Sequence, residues 1–412
     1  MKSSKPVANL SEWKKLLSGM LVFLPMWALL AAGIRLVSKN NILGADYYIY
    51  YTAGREYVLS GANPYSDEVA QIAQFDIMGR LAKPDEDQLA FAYPFFMLFW
   101  VIPFAWLDIS ISQALWMSLN ILASITILLK VFDKPQFLGL LGFSMYPVIM
   151  GIVLGNFSIL ICFLLLLFFN QILFSEPEHK SQVIMGILLA LTLGKPQLTW
   201  LIVLFALLMS FRKRFYSLIL AFSITAVILL ITSFALMPDW LNNWLLQLQK
   251  YSEYNHTTPA YILTTLLSRI GISSDLIFPV LLMTAFFIVI LWLVLENRFE
   301  DNQTKLLHHV IFLNLILILS VFLMPSTLSY NQIPILMGIF IGSKYFIASN
   351  PKWIPLIWVF YSIISWLILA IPKIAGLSNT DILFPLLTSL SWLCLLWLFS
   401  KRSLTGLANA PQ

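Results

Sequence analysis

Two ionisable residues attract notice for where they stand. Asp46 opens the stretch Gly44–Tyr65, in which Tyr47, Tyr48, Tyr50 and Tyr51 crowd beside an Arg55-Glu56 pair. A carboxylate so placed can take the proton of an attacking hydroxyl, provided it reaches that hydroxyl at ~2.6–3.2 Å. Its plainer role is a helix N-cap, accepting a bond from an orphan backbone N–H. Lys195 interrupts two apolar runs at Gly194-Lys195-Pro196-Gln197. An ionised lysine within a bilayer costs roughly 2.5–3.5 kcal/mol on the insertion scale, which favours a partner or a task such as phosphate binding. Otherwise its ammonium snorkels to the headgroups from a short helix end.

Other polar groups join them as candidate ligand contacts: Tyr50 and Arg55 near Asp46, Asn156 at a Gly155-Asn156 tip, His256 in Asn255-His256-Thr257, and Asn331 ending Pro325–Asn331. Asp85-Glu86-Asp87 competes for a catalytic or metal role, although such a run is ordinarily a solvated face. No Cys/His metal spacing, phosphate-binding loop or dinucleotide fingerprint occurs, and no nucleic-acid partner is expected. Cys162 and Cys394 lie inside apolar runs and read as small core residues.

The elements that must position these groups are membrane helices. Of 412 residues, 59% are hydrophobic and 11% charged, with mean hydropathy +0.84, whereas soluble chains are about a quarter charged. Spans are expected near Ser18–Val37, Ile111–Val131, Phe137–Leu154, Phe157–Phe174, Val183–Leu193, Gln197–Ser210 and Tyr216–Leu236. A second group covers Asp275–Leu295, Leu306–Met324, Gln332–Phe346, Trp353–Ile371 and Ile382–Ser400. Treating Tyr93–Leu107, with Pro94 and Pro103, and Tyr261–Ile270 as non-spanning gives 12 crossings and gathers most of the 25 Lys and Arg on one side. The expectation is an all-α, polytopic membrane protein forming one domain. Residues 1–17 and 401–412 are cytoplasmic tails, 38–110 an outer loop with juxtamembrane helices, and 111–400 a bundle of about 12 transmembrane helices. Both termini would then be cytoplasmic in a plasma (inner) membrane. Val183–Leu193 and Gln197–Ser210 are too short to cross comfortably, so a hollow dipping in from the outer face is expected at Lys195.

In order along the chain, Asp46-Tyr-Tyr-Ile-Tyr-Tyr51, Gly61-x-x-Pro64-Tyr65, Tyr93-Pro94, Gly155-Asn156, Gly186 with Gly194-Lys195-Pro196-Gln197, Arg212-Lys-Arg214, Asn255-His-Thr and Pro325-Ser326 make a set. This set resembles glycosyltransferase family 87, the polyprenyl-phosphate-mannose-dependent mannosyltransferases of GT-C architecture. The resemblance implies inverting transfer of a hexose, mannose favoured, from a polyprenyl-phosphate sugar to a glycolipid or glycan acceptor outside the cytoplasm. It makes Asp46 the base and turns Lys195 and His256 toward the donor phosphate. It implies no cofactor beyond the lipid-linked donor, and metal dependence stays open at Asp85–Asp87. Where family members often carry a histidine after Pro-Ser, this chain reads Ser329-Tyr330-Asn331. Two other classes remain: a transporter or flippase of a lipid-linked solute, and a polysaccharide polymerase or ligase using a pyrophosphate-linked donor.

Overall fold

A computed structural model describes residues 10–39, 41–132, 141–254, 271, 276–299, 301–324, 329–347, 353–374 and 383–408. These residues form helices and connecting turns, without a strand among them. In chain order the principal helices are α1 (Leu10–Ser38), α2 (Ala45–Ser60), α3 (Asp67–Met78), α4 (Ile109–Val131) and α5 (Tyr146–Val153). They continue as α6 (Ser158–Phe174), α7 (His179–Leu191), α8 (Pro196–Arg212), α9 (Tyr216–Leu236) and α10 (Trp240–Tyr254). The last five are α11 (Ile277–Glu296), α12 (Asn302–Phe322), α13 (Ile333–Phe346), α14 (Trp353–Ile374) and α15 (Leu383–Ala408).

Seven described helices are long and apolar enough to cross a membrane: α1, α4, α9, α11, α12, α14 and α15. α6, α7 and α8 are apolar but shorter. A multi-pass membrane protein is therefore what the helices support, with fewer full-length spans than the 12 expected. The expected Phe137–Leu154 span consists, in its described part, of a 3-10 turn at Gly142–Ser144 and the eight-residue α5. Proline accounts for the second start, because Pro147 sits in the first turn of α5, where its missing N–H is harmless. The Tyr93–Leu107 piece also does not span: it breaks into a 3-10 segment, Phe95–Trp100, and a four-residue helix, Ile102–Ala105. Tyr261–Ile270 lies outside the described residues.

Burial sorts the helices. The apolar window of α12 is 72% buried, that of α9 only 11% and that of α1 only 6%. α12 packs on α13, α13 on α6, and α6 on α4, making the centre; α1 lies against α4 and α9 against α7. The outward faces of α1 and α9 carry exposed Leu, Ile and Val. Such continuous apolar surface requires a hydrocarbon solvent, in which only internally hydrogen-bonded helices are stable.

Between α1 and α4 a small platform forms from local signals. α2 stops where Gly61 takes a left-handed φ of +70° and its N–H closes onto the last turn. α3 starts at Ser66, whose hydroxyl accepts the Val69 N–H. The Arg55 guanidinium donates to the carbonyls of Ala105 (2.9 Å) and Leu107 (3.4 Å) and to the Tyr51 hydroxyl, and Tyr51 donates to Leu107. These bonds fasten α2 to the short Ile102–Leu107 segment.

Candidate active site

Asp46 owes its position to a seam between α2 and the α5–α6 turn. The Tyr47 N–H donates to the Leu154 carbonyl at 3.0 Å. Next to it Gly155 adopts φ +66°, and a Cβ there would meet the Tyr47 Cβ at 2.6 Å, so only glycine allows the approach. Trp116 of α4 donates to the Gly155 carbonyl and stacks on the Tyr47 ring. The seam sets Asp46 opposite Asn156. Gly44, not Asp46, holds the N-cap position of α2, and no side chain caps the helix there. The capping role is thus corrected: the Asp46 carboxylate is taken up by tertiary partners.

Those partners form a closed circuit around Asn156. Its amide nitrogen donates to Asp46 Oδ2 at 2.8 Å and to the Tyr50 hydroxyl at 2.9 Å. Its amide oxygen accepts the Ser158 N–H at 2.8 Å and the Lys195 Nζ at 3.2 Å. Two donors and two lone pairs are all used, so the amide can point only one way. Lys195, 2% exposed, also donates to Ser158 Oγ and Asn331 Oδ1, each at 2.7 Å. Its ammonium lies 5.1 Å from the Tyr330 ring centre and 5.6 Å from that of Tyr93, a cation–π setting. The Tyr330 hydroxyl lies near enough to the Asp46 carboxylate to interact with it electrostatically. Tyr50 donates to Tyr93 at 3.0 Å.

Each member stands at the start of a different helix: Asp46 on α2, Asn156 and Ser158 at α6, Lys195 at α8, Asn331 at α13. Helix starts expose unpaired N–H groups and the positive end of the dipole. Four such ends with a lysine make a setting suited to anionic charge. Asp46, Lys195, Tyr50, Tyr93, Tyr330 and Asn331 line one narrow hollow of ≈ 70 Å³, with Asp87 and Tyr251 also on its wall. Burial pushes the Asp46 carboxyl above the usual carboxylate range, while the Asn156 hydrogen bond, the Lys195 charge and the Tyr330 hydroxyl oppose that rise. Burial also holds the Tyr50, Tyr93 and Tyr330 phenols well up, so they stay neutral donors.

Of the residues expected at the site, the structure brings together Asp46, Tyr50, Asn156, Lys195 and Asn331. Lys195 does not snorkel; it is held inside. Arg55 is elsewhere, engaged with backbone carbonyls of the platform. His256 lies outside the described residues. In the run Asp85–Asp87, Glu86 is gripped by Arg80 at 2.7 and 2.8 Å and accepts the Lys83 N–H, while Asp87 accepts the Leu89 N–H. Among the described residues no group of three or more His, Cys, Asp or Glu converges as a metal site. Ser158 and Tyr330 escaped sequence reasoning. The available signal was their neighbours: Asn156-x-Ser158 has the spacing of a side chain capping the next helix, and Tyr330 adjoins Asn331.

The model of glycosyltransferase family 87 matches residues 91–326, more than half of the chain. The chain belongs to glycosyltransferase family 87. Its assignment makes the protein a membrane glycosyltransferase. The matched stretch of this family 87 member contains Tyr93, Asn156, Ser158 and Lys195, and geometry alone adds Asp46, Tyr330 and Asn331 from beyond it. No curated protein and no solved structure matches significantly.

Proposed function

We propose that the chain is an inverting hexosyltransferase that draws on a polyprenyl-phosphate sugar at the extracytoplasmic face of the plasma membrane, with Asp46 as general base. The observation that carries the reading is the facing pair in one hollow: an oriented carboxylate and a buried ammonium, separated by the Asn156 amide. In a single displacement the acceptor oxygen bonds to the anomeric carbon as the carbon–phosphate oxygen bond breaks. The acceptor proton passes to Asp46 and the bonding pair leaves with the polyprenyl phosphate.

Each neighbour has a task in that step. Asn156 and Tyr330 aim the carboxylate before substrate arrives. Lys195 and the helix starts offset charge growing on the departing phosphate. Lys195 already has three protein oxygens, so its direct contact with phosphate requires exchange of one, the Asn331 amide being on the cavity wall. Mannose is favoured as the sugar by resemblance to the family.

The reading is tested with purified protein in nanodiscs, radiolabelled polyprenyl-phosphate mannose and a membrane glycolipid extract. Asp46→Asn should retain donor binding and lose transfer by at least a hundredfold. Full transfer by that variant removes Asp46 as base. Label crossing the bilayer of proteoliposomes with no new glycosidic bond favours a flippase instead.

A further inference from the structure

A second, larger depression opens beside the hollow, between α3, the loop of residues 81–90 and α10. It holds ≈ 420 Å³ against ≈ 70 Å³ in the hollow. The two share Ala90, and α10 serves both: Gln247 and Lys250 line the groove, Leu248 and Tyr251 the hollow. The groove therefore adjoins the hollow that Asp46 lines.

The groove's chemistry is that of a polyhydroxylated ligand. Gln247 is 4% exposed and lines the groove, and among the described residues its side chain makes no hydrogen bond. Its amide atoms are not sealed off from solvent, so they can exchange water for the hydroxyls of a ligand. Gln71, exposed on α3, offers a second amide from the opposite wall, and Asp67 and Glu253 add carboxylate acceptors. Lys250, the cation of the groove, is paired with Asp67 at 2.9 Å. Two acids and one paired cation disfavour a phosphate, and apolar lining limited to Ala70, Leu81, Ala82, Pro84 and Ala90, interspersed with amides and charges, offers no continuous apolar track for an acyl chain. Amides that donate and accept, beside carboxylates that accept, suit vicinal hydroxyls. The wall is firm, because Gln74 donates to the Gln88 carbonyl and accepts the Ala82 N–H, tying α3 to the loop.

We infer that this groove binds a saccharide chain in the aqueous layer and presents its terminal hydroxyl to the hollow. Calling that saccharide the acceptor rests on the function proposed above. The protein would then recognise several sugar units outside the bilayer, and Gln247 and Gln71 would be specificity residues.

The test uses the full chain in phosphatidylcholine nanodiscs free of sugar-headed detergent, titrated with mannotriose and, separately, maltotriose. At least one trisaccharide should bind the wild type. Gln247→Leu should weaken that binding at least tenfold. Gln71→Ala, at an exposed position, should weaken it severalfold with an unchanged melting temperature. Asp46→Asn should bind like the wild type. Binding of neither sugar, or binding indifferent to both glutamine variants, overturns the inference. If labelled sugar is still transferred in that case, the function stands without the groove. If a trisaccharide binds through the glutamines but is never extended by the donor, the groove stands and its role as acceptor site fails.

Discussion

Lys195 and Asp46 do not touch: Asn156 stands between them, accepting from the ammonium at 3.2 Å and donating to the carboxylate at 2.8 Å. The pair is coupled through one fully committed amide. A lysine on α8 is thereby linked to a carboxylate on α2 through a shared partner, without direct contact between the two groups.

The pH dependence of transfer should report this coupling. As the proposed base Asp46 must be deprotonated, and burial raises its pKa. It therefore keeps its proton to higher pH than an ordinary carboxyl, near 3.9. Activity should fall as pH drops through that raised value and recover above it. Asn156→Asp removes the donor and adds a like charge, so the acid limb of log kcat/KM should move to higher pH. An unmoved limb would separate Asp46 from the titration.

Removing the cation should harm both folding and catalysis. Lys195→Met keeps the length but leaves three buried oxygens, on Asn156, Ser158 and Asn331, without their donor. A loss of about 2–4 kcal/mol is expected from hydrogen bonds to a charged group, visible as a lower Tm in nanodiscs. Transfer should drop at least tenfold even at temperatures where the variant is folded. Wild-type Tm in Lys195→Met would show that those oxygens find other partners.

Gly155→Ala probes the seam. The added methyl meets the Tyr47 Cβ, and alanine at φ +66° is itself strained. A cost of about 1–3 kcal/mol is expected, together with a fall in kcat from misplacement of Asn156 against Asp46. Denaturation and single-turnover measurements on the same sample read both effects.

Arg55→Met should behave differently. The guanidinium serves the carbonyls of Ala105 and Leu107, so the expected result is a lower Tm with donor KM within about threefold of the wild type. The size follows from the loss of charged hydrogen bonds to backbone, roughly 1.5–3 kcal/mol each at most. A raised donor KM with unchanged Tm would return Arg55 to the substrate contacts.

The parts of the molecule legible in its sequence are those governed by local physics. Apolar run length announces a helical membrane protein, and Ser60-Gly61 ends α2 where expected because only the backbone of one turn is involved. The break at Gly194–Gln197 shows itself because a lysine inside apolar sequence needs a partner. Which partner it finds was not legible. Asn156, Ser158 and Asn331 lie 39, 37 and 136 residues from Lys195, and they meet because α6, α8 and α13 pack with their starts together. The local role first available to Asp46, capping its own helix, gave way to bonds across 110 residues once the Tyr47–Leu154 seam set its direction. The partners of Arg55 were hidden for the same reason, since nothing in its own stretch reveals that the Ala105 and Leu107 carbonyls come within reach. Hydropathy, turns and unusual residues belong to single segments and can be read from the sequence alone. The circuit around Asn156 belongs to the packing of four helix starts, and only the tertiary structure decides it.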